Sequence, residues 1–293
     1  MALLPPPPRI ATDEPVVSDA HVELEELLSA MEDMPSNPSV AMRVLWIADD
    51  PQTNTPALAT TIELDPALSA RLLRIANSAY YSRGNRVTTI ARAVVSVGFA
   101  TVQALAAAAV TGIDEDAAVP KDFWDHAATV AHASSLVARQ FGVSANEAFA
   151  VGLLHDLGEG VMCQLDPDRW QLVETTESDT LERLDAERLH YGTSHAEVAS
   201  RILRAWHLPE PLVNAVDNHH LGVSGVTVAP HPLVETLLCG EAFAEIVCSD
   251  GVGDRADLAR LTLDAAGVTD SFIERVGPRL AEETSALAEV LAS

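Results

Sequence analysis

Basic side chains are in short supply. The chain of 293 residues carries 18 Lys and Arg against 43 Asp and Glu, a formal net charge of −25. Electrostatic binding to nucleic acid or an anionic membrane works through Lys and Arg contacts that release counterions, so this balance argues against both. Cysteine is rarer still. Cys163, Cys239 and Cys248 are odd in number, widely spaced and without a CxxC pair; they fit buried thiols in a reducing cytoplasm better than a disulfide framework. No apolar run reaches the roughly 18–20 residues of a membrane span. The closest, FATVQALAAAAVTG from Phe99, is short and broken by polar residues. The opening MALLPPPPRI has no basic leader for secretion, and its four prolines prevent a helix, so residues 1–18 are expected to be a flexible tail. The expectation is a soluble, cytoplasmic protein with no nucleic-acid or membrane partner.

Aromatics make up 4% of the chain, whereas hydrophobic residues overall make up 48%. Alanine and leucine dominate and recur at helical spacing, which predicts an all-α fold. Asn37-Pro38, Thr55-Pro56 and Asp65-Pro66 each place a capping residue before a proline suited to the first helical turn. The helix from Asp65 carries Leu68, Leu72, Ile75, Ala76 and Ala79 on one face. It ends near Asn77, before the turn-like Ser82-Arg83-Gly84-Asn85. Asn77 is expected either to bond backbone groups at that helix end or to belong to a binding surface. A further helix starts at Thr88 or Thr89 and breaks at Gly98. Residues 19–112 form an N-terminal helical lobe on this reading, and the charged, proline-bearing IDEDAAVPKD of residues 113–122 joins it to a second lobe over 113–250. Residues 251–293 form a C-terminal helical extension in which Leu280, Leu287 and Leu291 share a face interrupted by Thr284, suited to packing on the chain or to a homodimer contact.

Nine of the ten histidines lie in the second lobe. At its centre is SANEAFAVGLLHDLGEG, residues 144–160. Ser144 and Glu147 have capping-box spacing; Ala148, Val151, Gly152 and His155 share a face; Gly158 reads as a C-terminal stop. His155 and Asp156 at the exit point about 100° apart, so both can reach one point between them. In the helix from about residue 121, Phe123, His126, Val130, Ala133 and Val137 form the buried stripe, which leaves His132 on the surface. The acidic run DPDRWQLVETTESDTLERLDAERLHYG reads as solvated helix faces. Ser194 and Glu197 make a second capping box, opening a helix with His195, Val198, Ala199, Ile202 and Trp206 inside. The next helix ends in Asn218-His219-His220, before a loop marked by Gly222 and Gly225, and Glu241 interrupts the apolar stripe of the one after. Singly, each is readable as a hydrogen-bonded core residue. Jointly, His126, His155, Asp156, His195, His219 or His220, and Glu241 put imidazoles and carboxylates on inward faces of successive helices, as a divalent Fe, Mn, Zn or Mg site requires. Such a site activates water for attack on phosphorus.

LDPALSARLLRIANSAYY from Leu64, TTIARAVVSVGF from Thr88, FWDHAATVAHAS from Phe123, AFAVGLLHDLGEGVM from Ala148, SHAEVASRILRAWHLPE from Ser194 and AVDNHH from Ala215 resemble, in order and spacing, the HDOD domain of bacterial signalling proteins. The resemblance covers roughly residues 25–222. It implies an all-helical output module, related to the HD and HD-GYP metal-dependent phosphohydrolases, that acts on a signalling partner and has no established reaction of its own. The departures bear on activity. HD-GYP enzymes that cleave cyclic di-GMP carry a lysine where this chain has Glu159, and a glutamate and Gly-Tyr-Pro signature where it continues from Leu221 as LGVSGVTVAP. Their last aspartate ligand is replaced by Glu241. The preferred expectation is a non-catalytic module whose metal, where one is bound, is structural, and no catalytic residue is assigned. The alternative is a metal-dependent phosphohydrolase of a nucleotide or cyclic dinucleotide, with His126, His155, Asp156, His195, His220 and Glu241 as ligands.

Overall fold

A computed structural model of the chain describes residues 40–50, 52–78, 80–81, 86–111, 119–120, 122–175, 180–220, 231–248 and 254–292. The described residues are helical, with no strand among them. The expected proline-rich tail, the Asn37-Pro38 start, the turn at Ser82–Asn85, most of 113–122, and Gly222 and Gly225 lie outside the described residues.

Five helices come first: α1 (Val40–Asp49), α2 (Thr55–Ile62), α3 (Pro66–Ala76), α4 (Ile90–Val97) and α5 (Phe99–Thr111). The caps explain the starts. Asp65 Oδ1 accepts from the backbone N–H groups of Ala67 and Leu68 at 2.9 and 3.1 Å, ahead of Pro66. Thr89 likewise caps α4. At α2 the cap is Asn54, one residue before the expected Thr55, because its side-chain oxygen reaches Ala57 N–H at 3.1 Å. Gly98, at φ +85°, turns the chain by 107° between α4 and α5. The α3 stripe of Leu68, Leu72, Ile75 and Ala76 is buried as its spacing predicts. Asn77 is half-buried; its Nδ2 donates to Leu73 O and Val87 O and its Oδ1 accepts from Val87 N–H, all at 2.8 Å. It ties the end of α3 to the entry of α4.

Next come α6 (Phe123–Val137), a 3-10 turn (Ala138–Phe141), α7 (Ala145–Leu154), α8 (Leu157–Leu165), α9 (Pro167–Glu174), α10 (Thr180–Tyr191), α11 (His195–Ala205), α12 (Glu210–Asp217) and α13 (Pro232–Cys248). The C-terminal stretch adds α14 (Asp254–Ala265) and α15 (Asp270–Ala292). Helix α6 is the hub, packed by α7, α13 and α15, while α5 packs on both α1 and α7. One apolar core therefore runs from Ala41 to Leu291, with a second cluster around Val137, Phe243, Leu263 and Leu280. Leu280, Leu287 and Leu291 are buried within the chain itself, and Arg74 of α3 donates to Glu289 O of α15 at 3.3 Å. No single helix among the described residues is long and apolar enough to cross a membrane.

Three local expectations are corrected. Ser144 makes no side-chain cap, so its capping box does not form. Gly158 is not a stop. It lies in the first turn of α8, where a Cβ would come 2.0 Å from His195 O, so its missing side chain is what lets α8 approach α11. His132 is not on the surface: it is buried against Phe149 and Tyr80, its Nδ1 facing Ala128 O at 3.1 Å. Helix α6 is covered on both sides, which a single-stripe reading does not anticipate.

Candidate metal centre

The chain breaks helix between α7 and α8 at His155-Asp156, and that break points both side chains into the bundle. His155 Nδ1 donates to Gly152 O at 2.8 Å. A carbonyl only accepts, so the hydrogen is on Nδ1 and Nε2 is aimed inward. The same logic holds at the end of α12, where His219 Nδ1 lies 2.5 Å from Val216 O. At the start of α11, His195 Nδ1 lies 2.8 Å from both oxygens of Glu187. Three buried rings are thus oriented by what their outer nitrogens touch, the arrangement found around metal-bound histidines.

Asp156 lies where the inner nitrogens meet. Its Oδ2 is 2.9 Å from His155 Nε2 and 3.3 Å from His126 Nε2; its Oδ1 is 3.5 Å from His195 Nε2 and 3.6 Å from His219 Nε2. One carboxylate therefore faces two groups of donors. On the Oδ1 side, His195 Nε2 is 3.3 Å from His219 Nε2 and 2.9 Å from His220 Nε2. Glu241, reaching in from α13, sets Oε1 3.8 Å from His155 Nε2 and 4.0 Å from His219 Nε2, and that buried oxygen has no hydrogen-bond partner. His126 differs from its sequence reading. It touches Asp156, but its side chain is 48% exposed, at the rim of the cluster and not on the buried stripe of α6.

Electrostatics point the same way. Burial disfavours a charged His155, yet Asp156 and Glu241 outweigh it and push the ring up to about 9. Burial likewise opposes protonation of His195, and Glu187, with Glu159 and Asp156, pushes it up to about 9. Asp156 is held well below the usual carboxylate range: burial raises it, but His155 and the hydrogen bonds from His126, His155 and His219 prevail. His220 moves the other way, lowered first by burial and then by the neighbouring His219 and His195. Four carboxylates, Asp156, Glu159, Glu187 and Glu241, adjoin this cluster. Arg183, 2.6 Å from Glu159 and 3.7 Å from Glu187, is the guanidinium that offsets them.

These features fit a divalent cation. Donors about 2.1 Å from one ion stand about 3.0–3.5 Å apart in tetrahedral or octahedral sites, close to the 2.9–3.6 Å separations among Asp156 and the histidines, while Glu241 stands further off at 3.8 and 4.0 Å. Two groups, His126 with His155 and Asp156, and His195 with His219 and His220, each bring three donor atoms within 4.8 Å of one another, and Glu159 joins Asp156 and His195 in a third. Inward ring nitrogens with their outer nitrogens hydrogen-bonded, an unpartnered carboxylate oxygen and an excess of negative charge all call for a cation.

The HDOD domain model matches residues 34–221. The chain belongs to the HDOD domain family. An uncharacterised protein of Treponema pallidum (strain Nichols) is 26% identical over 200 residues, covering 65% of this chain and 38% of its own length. The chain thus spans little more than a third of that curated relative. Among solved structures, a protein provisionally named a phosphohydrolase, from Shewanella amazonensis, is 26% identical with a TM-score of 0.67, covering 94% of this chain and 99% of its own. One provisionally named for signal transduction, from Marinobacter aquaeolei, is 19% identical with a TM-score of 0.66, covering 97% and 68% respectively. In this HDOD protein the histidines and Asp156 lie within the family match, whereas Glu241 comes from beyond it.

Sequence reasoning missed Glu187 and Arg183 as parts of the site, while Glu159, expected where the HD-GYP lysine stands, adjoins the cluster. For Glu187 the signal was present. It lies three residues after Leu184 and four before Tyr191, both buried, so it continues an inward stripe of α10 within a run otherwise rich in charge.

Proposed function

We infer that this HDOD protein is a signal-transduction output module that acts through contact with a signalling protein, and that a divalent cation in its His/Asp/Glu cluster serves structure and not turnover. Glu159 carries this reading. Where the HD-GYP resemblance calls for a phosphate-binding lysine, the chain holds a buried carboxylate engaged by Arg183. An incoming phosphate would meet like charge there, and the nearby guanidinium is already committed. His126 and His155 on one side of Asp156, and His195, His219 and His220 on the other, with Glu241 near both, are the donors from which a tetrahedral or octahedral cation would draw its ligands. A set rich in imidazole suits Zn, Fe or Mn better than Mg, which prefers oxygen ligands. When bound, such an ion would supply positive charge to offset the carboxylates; its candidate ligands stand on α6, the α7–α8 break, α11, the end of α12 and α13.

A second reading, a metal-dependent phosphohydrolase, is favoured by one observation: the exposed His126 opens the Oδ2 side of Asp156 to solvent while the donor set stays complete. A divalent cation in that position supplies a Lewis acid for water and phosphate. Elemental analysis of protein purified without added metal, beside the Asp156→Ala variant, tests the first reading together with hydrolysis assays on a cyclic dinucleotide and on bis-p-nitrophenyl phosphate. Near-stoichiometric transition metal lost in Asp156→Ala, with hydrolysis no faster than that variant's, is expected. Metal-dependent turnover abolished by Asp156→Ala would replace the first reading with the second. A folded wild type that takes up no metal would remove the metal centre from both.

A further inference from the structure

Glu187 is fully buried on α10, amid residues whose charges otherwise face solvent. Both of its oxygens lie 2.8 Å from His195 Nδ1, and Oε2 also accepts from the backbone N–H of His195 at 2.9 Å. One carboxylate therefore grips both the ring and the main chain of the residue that opens α11. A buried carboxylate without compensation is costly. Here the compensation is built in: Arg183, one turn earlier on α10, lies between Glu187 and Glu159 and stacks over the Trp170 ring at 5.4 Å. Gly158 fixes the other side, bringing α8 against His195 O. His195 is thus held from α8 and α10 before any inner ligand is considered.

We propose that Glu187 is the positioning residue of this cluster: it keeps a hydrogen on His195 Nδ1, aims Nε2 at Asp156, His219 and His220, and strengthens that nitrogen as a donor to a cation. A carboxylate behind an imidazole raises the basicity of the opposite nitrogen, and removing such a partner typically lowers metal affinity by about 10–100-fold. The affinity part of the proposal rests on the metal-centre reading; the orientation part does not.

The variants are Glu187→Gln and Glu187→Ala, with Asp185→Asn as the control, an α10 acid whose side chain is 81% exposed. Glutamine keeps the volume and one acceptor oxygen. Its amide NH2, however, must face either the ring N–H or the backbone N–H of His195, so the two-point grip fails even where the fold survives. Proton NMR of the metal-free protein reads the first effect. A low-field ring-proton resonance, assigned to His195 by its loss in His195→Gln, is expected in the wild type and Asp185→Asn and absent or shifted in Glu187→Gln. Calorimetric titration with Zn2+ and Mn2+ alone reads the second, with affinity expected to fall about 10-fold in Glu187→Gln and towards 100-fold in Glu187→Ala. A folded Glu187→Gln that keeps the His195 resonance and binds both ions within twofold of wild type would overturn the proposal. A wild type that binds neither ion would overturn the metal-centre reading, while the resonance would still decide whether Glu187 positions His195.

Discussion

His132 reports on burial without involving the metal cluster. Enclosed by Tyr80 and Phe149, it is driven down to about 4 by burial, against the raising effect of the Ala128 carbonyl. Its value in the unfolded chain is about 6.5, so between those limits the unfolded state binds a proton that the folded state refuses. Its contribution is complete above about pH 6.5 and is lost as pH falls towards 4. The expected loss by pH 4.5 is about 2–3 kcal/mol. Denaturant unfolding at pH 7 and 4.5 should show wild type losing that much more than His132→Phe; parallel losses would contradict it. The same residue shows where the sequence stops being legible. The inward placement of His155 and His195 follows from spacing, because each lies on an apolar stripe, and both are buried. His132 is buried and His126 exposed, the reverse of what a single stripe predicts, because α6 is buried on several sides and its N-terminal end meets solvent. Glu187 is hidden by composition: a carboxylate in a charged run reads as solvated until its partners, Arg183 one turn earlier and His195 on the next helix, are known.

At the scale of elements, the helix start fixed by proline and a capping oxygen is readable at Asp65, and the start at Thr88 or Thr89 resolves to Thr89, whose hydroxyl caps α4 without a proline. The start near residue 55 was off by one, and Ser144 did not cap, because a cap depends on which oxygen reaches an N–H. Spacing predicts the exit of a single helix at His155-Asp156, whereas a second helix follows at once, with Gly158 inside it. Gly158 supplies a test by sign. At an open helical position Ala in place of Gly stabilises by up to about 1 kcal/mol. At Gly158 the added Cβ would overlap the His195 carbonyl, backbone against backbone, so Gly158→Ala should destabilise by about 1–3 kcal/mol or more. Gly267→Ala is the comparison: its φ is +76° but nothing lies within 4 Å of the added atom, so its cost is limited to about 1–2 kcal/mol of backbone strain. A thermal melt in which Gly158→Ala gains stability would refute the close approach of α8 to α11.

For the whole molecule, the all-α class was plain from composition and periodicity, and the described residues are helical. The way the two ends of the chain meet was not, because no local pattern encodes it. Helix α15 packs on α6 of the half that carries the histidine cluster and on α3 of the first half, so it closes both. Fully burying a leucine is worth about 1.5–3 kcal/mol, and Leu280, Leu287 and Leu291 are all buried on this helix. Against a typical total stability of about 5–15 kcal/mol, deleting residues 270–293 should abolish cooperative folding. Circular dichroism melts and size-exclusion light scattering check this; a truncated chain that melts cooperatively within a few degrees of the full one would show α15 to be an appendage.

The donors around Asp156 are drawn from His126 to Glu241, the last of them beyond the family match. On a ribosome the chain emerges from its first residue onward, so α6 through α12 leave the exit tunnel before the carboxylate of α13 is available to them. Throughout that interval His155 and His219 lack the oxygen that approaches both of them in the finished fold. Completion of this cluster is therefore a late event in the synthesis of each molecule.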